Sequence, residues 1–204
     1  MVLNYFQGSN QTILDKIRSF DFFLFFLILL VGLISFFAMY SSERGTFSYH
    51  TVSHIYRFGI FFLLFIVISF FRVQYWFKSA YLFYLIILLL LLGVHFFGIT
   101  ASGSKRWINL FIINLQPSEL MKISIIIFLA RYYYKIPSQN VTNLKYILVP
   151  FIALILPVIL VILQPDLGTA VLIAISGIIV IWLTGFGMKY FLYSFFILFC
   201  SIPV

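Results

Sequence analysis

Long apolar runs separated by short polar segments are the dominant pattern of this sequence. The first run covers residues 22–40 without a charged residue, and no small-residue cleavage site follows it. A helix that crosses a bilayer needs about 20 mostly apolar residues, whereas the core of a signal peptide is shorter. We therefore predict an uncleaved transmembrane helix at this position.

The remaining apolar runs predict six more membrane helices. Pro117 begins the fourth predicted helix, at a position where proline is favoured. Only Gln164, Pro165 and Asp166 separate the fifth helix from the sixth, so these two helices are predicted to form an antiparallel hairpin. The predicted ranges are about 53–71, 81–97, 117–134, 146–163, 167–184 and 190–204.

Pro150 and Pro157 lie inside the fifth predicted helix. Each proline lacks an N–H group and so leaves one backbone carbonyl without its helical donor. In a membrane, that carbonyl must be satisfied by a neighbouring helix or by a wet cavity. We favour a kinked helix with a structural role.

The composition supports the same interpretation. Of the 204 residues, 64% are hydrophobic and 9% are charged, while a soluble protein is about 45–50% apolar and about 25% charged. The predicted fold class is all-α, a polytopic membrane helix bundle of about seven transmembrane helices. We expect one membrane domain over residues 1–204, in which residues 1–21 form a cytoplasmic N-terminal segment.

The net charge of +8 comes from basic residues that are scattered along the chain. A nucleic-acid-binding protein needs them collected into a patch, so nucleic acid is not an expected partner. With a cytoplasmic N-terminus, eight of the 13 Lys and Arg residues fall inside, four fall outside, and Lys122 lies within a helix. Because cytoplasmic loops are enriched in Lys and Arg, we predict residues 102–109 outside and residues 137–143 inside.

Glu119 and Lys122 are three residues apart on the fourth predicted helix, and so share one helix face. An ionisable group within a span needs a partner or a purpose. The two side chains would neutralise each other as a pair that fixes helix packing. They would equally suit the wall of a polar cavity that opens outward, and the sequence leaves both interpretations open.

Four other residues have the chemistry of a binding site. Asp166 stands where an N-cap of the sixth helix is expected. Lys105, Arg106 and Trp107 precede the fourth helix, where two cations and an indole would bind a phosphate or simply anchor the chain at the headgroups. His50 and His54 have metal-ligand spacing but no third ligand, so we predict no metal site and interpret both as interfacial or packing residues.

Three segments, in order along the chain, resemble the SEDS family of cell-wall polymerases. They are residues 103–110 (GSKRWINL), 115–122 (LQPSELMK) and 164–170 (QPDLGTA). The resemblance extends from about Asp21 onward. The end of the fourth helix (residues 129–132) and the short N-terminal segment are more similar to the rod-elongation branch than to the cell-division branch.

The resemblance implies a peptidoglycan glycosyltransferase that polymerises lipid II and works with a class B penicillin-binding protein. An acceptor sugar hydroxyl loses its proton and attacks the anomeric carbon of a second lipid-linked sugar, and undecaprenyl pyrophosphate leaves. No cofactor is assigned from these residues, and a divalent cation that helps to hold the pyrophosphate stays open. The implied location is the bacterial inner (cytoplasmic) membrane, with a multi-pass chain and a cytoplasmic N-terminus.

In this family the essential aspartate lies in a large outer loop after the seventh membrane helix, so we expect the catalytic residue beyond Val204. Asp15, Asp21 and Asp166 do not match that loop, and no catalytic residue is assigned. The residues that do match the family are expected to bind substrate or to support the site. They are Lys105, Arg106, Trp107, Glu119, Lys122, Gln164, Pro165 and Asp166.

Two other functions stay open at this point. A polar cavity between kinked helices would also suit a transporter (flippase) of lipid-linked precursors. Lipid-facing helices would suit a non-catalytic scaffold for a penicillin-binding protein.

Overall fold

A computed structural model describes residue 18 and residues 20–101, 104–109 and 114–187, without the side chains of residues 95, 100, 101, 104, 138 and 144. The chain divides into two compact units, and the boundary lies between Tyr75 and Trp76. The helix predicted over residues 190–204 and nearly all of the predicted N-terminal segment fall outside the described residues.

The first unit contains two packed helices, α1 (Phe22–Ser42) and α2 (Tyr49–Ser69). Each begins with a side-chain N-cap, Asp21 for α1 and Ser48 for α2. Because a cap satisfies amides that otherwise have no helical partner, Ser48 allows α2 to begin one turn before the start that hydropathy predicts.

A glycine brings α1 and α2 close together. A Cβ atom added to Gly32 would lie 2.1 Å from Cζ of Phe58, so that no other residue fits there without movement of the ring. One turn along α1, Ser35 Oγ lies 3.0 Å from His54 Nε2, a hydrogen bond between the two helices. Of the two roles that the sequence leaves open for His54, the structure shows packing between helices.

The third helix, α3 (Val73–Phe97), begins two turns before the predicted start at residue 81. The predicted start was too late because the first turns of α3 contain Tyr75, Trp76 and Lys78, which interrupt the apolar run. Long side chains with a polar end reach the membrane surface from within a helix, so their polarity does not end it.

The second unit is completed by α4 (Pro117–Tyr133), α5 (Leu144–Ile162) and α6 (Leu167–Leu183), with a short 3-10 turn at Ser138–Asn140. These three helices agree with the sequence prediction to within two residues at each end. The hairpin of α5 and α6 is present, with Leu163 and the three predicted residues as its turn.

The core of this unit is formed by residues that recur every fourth position and so lie on one helix face. Gly177 belongs to this face of α6, and a Cβ atom there would lie 2.4 Å from Leu154 Cδ1, because α5 and α6 approach closely. The buried face comprises Met121, Ile125, Leu129 and Tyr133 on α4 and Thr169, Ile173, Gly177 and Ile181 on α6.

Between α3 and α4 the chain forms a small antiparallel sheet. Its strands are β1 (Ile99–Ala101), β2 (Ser104–Asn109) and β3 (Asn114–Leu115), in the order β1-β2-β3. Gly98 connects α3 to β1, where a Cβ atom would lie 2.4 Å from the carbonyl oxygen of Val94. These strands were not predicted, because the apolar pattern indicates only the membrane helices on either side.

The carbonyl group freed by Pro157 is satisfied by another helix. Pro157 removes the N–H group that would bind the carbonyl of Ala153, four residues earlier. Tyr84 on α3 donates its hydroxyl hydrogen to that carbonyl oxygen at 2.8 Å. Of the two solutions open to a proline inside a membrane helix, the chain uses the neighbouring helix at this position.

The outward surface of the helices is suited to lipid. Phe23, Leu82 and Ile159 are each at least half exposed. Four of the described helices (α1, α2, α3 and α5) are long and apolar enough to cross a membrane, and α6 is a shorter apolar helix. The protein is a polytopic helical membrane protein, which confirms the predicted fold class.

We expect Tyr84→Phe to lower the free energy of unfolding by about 0.5–2 kcal/mol, because it leaves the Ala153 carbonyl without a donor. Pro157→Ala supplies a backbone N–H for the same carbonyl, so the loss should shrink in that background. Unfolding of the detergent-solubilised protein in increasing SDS would measure both effects. Equal losses in the two backgrounds would contradict this account of the Tyr84 hydroxyl.

Candidate functional site

The best-connected polar side chain of the second unit is Asp166, at the start of α6. Its Oδ1 accepts a hydrogen bond from the backbone N–H of Thr169 at 3.3 Å, and its Oδ2 accepts one from the Thr169 hydroxyl at 2.9 Å. The predicted N-cap is therefore confirmed. Asp166 is only 7% exposed, so its charge depends on these and other protein donors.

Two donors reach Asp166 from the polar segment between α3 and α4. Gln116, the residue before α4, donates from Nε2 to Asp166 Oδ2 at 3.1 Å. Arg106 on β2 forms an ion pair with the same oxygen, with 3.4 Å between Nη1 and Oδ2. One carboxylate thus joins the sheet, the start of α4 and the α5–α6 hairpin. We call Arg106, Gln116, Asp166 and Thr169 the Asp166 cluster.

A β-bulge places Arg106 in this cluster. Ile99 on β1 pairs with Trp107, and the next residue of β1, Thr100, pairs with Lys105, so the pairing skips Arg106. An extra residue of this kind bends its strand and redirects a side chain. The geometry explains how a residue in a strand meets an aspartate that is 60 positions away in sequence.

The surroundings of Asp166 keep it ionised. Burial by itself raises the pKa of the carboxyl group, but the hydrogen bonds from Thr169 and the cation of Arg106 outweigh it, and the net pKa lies below the usual value. A general base works best with a pKa near the operating pH. Asp166 is therefore better suited to holding structure together than to accepting a proton.

Lys105 and Gln164 both donate to backbone carbonyls in the last turns of α3. Lys105 Nζ lies 3.2 Å from the oxygen of Phe96, and Gln164 Nε2 lies 3.1 Å from the oxygen of Leu91. Gln164 is buried, and its contact fixes the turn of the hairpin against α3. Lys105 and Arg106, which the sequence suggests as joint phosphate ligands, thus have different partners.

The Glu119–Lys122 pair that the sequence suggests is present, with 2.8 Å between Nζ and Oε2. The Glu119 side chain is 53% exposed, so the pair lies at the surface of the described protein. An exposed pair contributes about 0–1 kcal/mol. Its value to the fold is therefore small, and it is available to a ligand at the surface of α4.

The remaining expected residues lie next to these contacts. Trp107 is half-buried and follows Arg106 on β2, and Pro165 is exposed in the hairpin turn. Gln116 and Thr169 were not among the predicted site residues, although both lie in the segments that resemble the family. Thr169 is three residues after the cap, the position that an N-cap side chain contacts, and this spacing would have indicated it.

The described residues do not build a divalent-cation site. No three His, Cys, Asp or Glu side chains come together in the described part of the chain. The two carboxylates near the sheet already have cationic partners, Arg106 for Asp166 and Lys122 for Glu119. No step of the chemistry below is assigned to a metal ion.

Residues 18–204 match the family model of FtsW, RodA and SpoVE, described as a cell cycle protein. The chain belongs to this family. Peptidoglycan glycosyltransferase MrdB of Escherichia coli strain K12 is 37% identical over 109 residues, which are 52% of this chain and 28% of MrdB. The probable peptidoglycan glycosyltransferase FtsW of Haemophilus influenzae is 31% identical over 198 residues, 79% of this chain and 48% of that protein.

Two solved structures have the same fold as this chain. The crystal structure of the rod shape determining protein RodA of Thermus thermophilus superimposes with a TM-score of 0.75 at 25% identity, over 90% of this chain and 60% of RodA. A peptidoglycan synthase complex, described as coordinating polymerization and crosslinking, gives 0.80 at 26% identity, over 90% and 53%. The chain thus spans half or less of these curated relatives, and a little over half of these solved chains.

The Asp166 ion pair predicts a pH-dependent stability. The pKa of Asp166 in the folded protein lies below its unfolded value of about 3.9. The stabilisation from the ionised carboxylate is therefore complete above the unfolded pKa and is lost as the pH falls through the folded pKa. Asp166→Asn keeps an oxygen for the N-cap but loses the charge. The wild type should therefore be more stable than Asp166→Asn at about pH 6, and the difference should narrow towards about pH 3.

Thermal unfolding of the two proteins in detergent at several pH values would measure this difference. A difference that stays constant, or that widens as the pH falls, would contradict the assignment of an ionised Asp166.

Proposed function

We propose that the chain supplies membrane helices and an outer polar site to a peptidoglycan glycosyltransferase of the rod-elongation type, which polymerises lipid II together with a class B penicillin-binding protein. Membership of the FtsW/RodA/SpoVE family supports this proposal. So do two relatives, MrdB, which is named a peptidoglycan glycosyltransferase, and the structural neighbour described as a synthase complex. The proposed location is the inner membrane, with a cytoplasmic N-terminus.

The observation that carries the proposal is the Asp166 cluster. The cluster fixes the sheet against the start of α4 and the turn of the α5–α6 hairpin. The backbone of this polar surface is therefore held in one arrangement. A transferase gains rate by holding reactants in position before the reaction. A rigid polar surface with several cations is the kind of structure that could hold a lipid-linked pyrophosphate in this way.

Lys122 is our candidate contact for the pyrophosphate. Its ammonium group donates to Glu119 Oε2, and an ammonium group has three donors, so a phosphate oxygen can bind in addition. The side chain is partly exposed on α4. Because Glu119 holds the ammonium group in place, less side-chain freedom is lost when a phosphate binds.

The base that removes the acceptor proton is not assigned to any described residue. Asp166 is the one buried carboxylate near the sheet, and its lowered pKa and its protein donors argue against that role. We give it a positioning role. The residues discussed here bind and orient the substrate in this proposal.

No observation favours the other candidate functions. A flippase would be supported by a wet path along the proline-containing helix α5. Instead, the carbonyl freed by Pro157 is bound by the Tyr84 hydroxyl.

The test is incubation of the purified protein, with and without a class B penicillin-binding protein, with fluorescent lipid II. We expect this 204-residue chain to bind lipid II without forming glycan. Binding should be reduced by competing undecaprenyl pyrophosphate but not by undecaprenol, because the pyrophosphate is the recognised group. Lys122→Gln should weaken binding by about three- to tenfold, the loss of one charge-assisted hydrogen bond.

Lys145→Gln, which removes a cation from the start of α5, is the matched control and should bind like the wild type. Absence of binding, or equal competition by undecaprenol, would overturn the proposed substrate recognition. Glycan ladders that are abolished by Asp166→Ala would overturn the positioning role and make Asp166 the base.

A further inference from the structure

The end of the second unit that lies away from the Asp166 cluster has a one-sided charge. Four cations lie there, at the start of α3, at and just after the end of α4, and at the start of α5. The described acidic residues of this unit, Glu119 and Asp166, lie at the opposite ends of α4 and α6. The four cations are Lys78, Arg131, Lys135 and Lys145. Neither of the described acidic side chains of the second unit lies at this end.

Arg131 is already used within the protein. Its guanidinium group lies over the ring of Tyr81, 4.9 Å from the ring centroid, and donates to the carbonyl oxygen of Phe77. It holds the end of α4 against the start of α3. Lys135, two residues after the end of α4, is exposed.

An open cavity of about 350 Å³ lies at the same end, between the ends of α4 and α6 and the segment before α5. Its volume falls within the range of about 300–1,000 Å³ that is typical of ligand sites. The walls are mainly apolar. They include Ala130, Ile136, Val141, Val180 and Leu183.

One buried polar group in this cavity has no partner. Tyr133 lines the cavity and is 7% exposed, and its hydroxyl has no hydrogen-bond partner within the described protein. Tyr134 and Thr184 also line the cavity with hydroxyl-bearing side chains, and the Thr184 hydroxyl donates to the carbonyl oxygen of Ile181. A buried donor without an acceptor is costly, so the Tyr133 hydroxyl indicates an acceptor that comes from a ligand.

The level of the cavity within the bilayer indicates the kind of ligand that would supply this acceptor. Helix α4 has 17 residues, or about 26 Å at about 1.5 Å per residue, close to the thickness of the hydrocarbon core. Tyr133 is its last residue and so lies near the boundary between acyl chains and headgroups. Lys135 lies in sequence between Tyr134 and Ile136, which both line the cavity. Its side chain is long enough to reach the headgroup level.

We propose that this cavity is a binding site for an anionic phospholipid. One acyl chain fills the apolar space, the Tyr133 hydroxyl donates to an ester or phosphate oxygen, and Lys135 meets the headgroup charge. The site is separate from the Asp166 cluster and does not depend on the function proposed above. It would anchor the ends of α4 and α6 to the lipids of one leaflet.

The test uses the full chain in phosphatidylcholine nanodiscs with a minor amount of a phosphatidylglycerol probe that carries a photoreactive diazirine on one acyl chain. The matched phosphatidylcholine probe is the lipid control. Mass spectrometry of cross-linked peptides then locates the label. We expect the phosphatidylglycerol probe to label residues 130–141 and 180–184 about three- to tenfold more than the control.

Tyr133→Phe and Lys135→Gln should each reduce this labelling about threefold or more, consistent with the loss of one hydrogen bond or one charge. Lys78→Gln is the matched charge control, because no α3 residue lines the cavity, and it should label like the wild type. In detergent without phosphatidylglycerol, the midpoint temperature of thermal unfolding should be no lower for Tyr133→Phe than for the wild type.

Three results would overturn the proposal. Equal labelling by the two probes would show that the cavity does not select an anionic lipid. An equal loss with Lys78→Gln would show a diffuse surface charge rather than a site. A less stable Tyr133→Phe protein in the absence of lipid would show that the hydroxyl is bound by the chain itself.

Discussion

The arrangement of the polar surface formed by the sheet, the start of α4 and the α5–α6 hairpin depends on one buried carboxylate. A charged group that is nearly removed from solvent is costly unless donors surround it, and Asp166 is 7% exposed. Its donors come from the first turn of α6, from the residue before α4 and from the middle strand of the sheet. Because they come from three separate segments, the need to stabilise one charge determines where these segments lie relative to one another.

A second constraint is that backbone groups have no water to bind inside a membrane. At three places the described chain meets this requirement with a side chain. Tyr84 binds the carbonyl that Pro157 frees, and Lys105 and Gln164 bind carbonyls in the last turns of α3. Lys105 and Gln164, which lie in two of the segments that resemble the family, thus hold the polar segment and the hairpin turn against α3.

The helices and the contacts within them could be predicted from the sequence, whereas the contacts between distant segments could not. The helices follow from long apolar runs, and the Asp166 cap and the Glu119–Lys122 pair follow from contacts three residues apart. The contact between Arg106 and Asp166 joins residues 60 positions apart through a β-bulge, for which the local sequence has no signal. The early start of α3 was missed for a different reason, because hydropathy measures the lipid-facing part of a helix and not its hydrogen-bonded length.

The Arg106–Asp166 pair couples the sheet to the α5–α6 hairpin. A double-mutant cycle of Arg106→Gln and Asp166→Asn measures that coupling directly. Unfolding free energies of the wild type, the two single variants and the double variant would be compared in one detergent at neutral pH. We predict that the double variant loses less than the sum of the single losses, with a coupling energy of about 1 kcal/mol or more. Additive losses would contradict the claim, because they would show that the two side chains stabilise the protein independently.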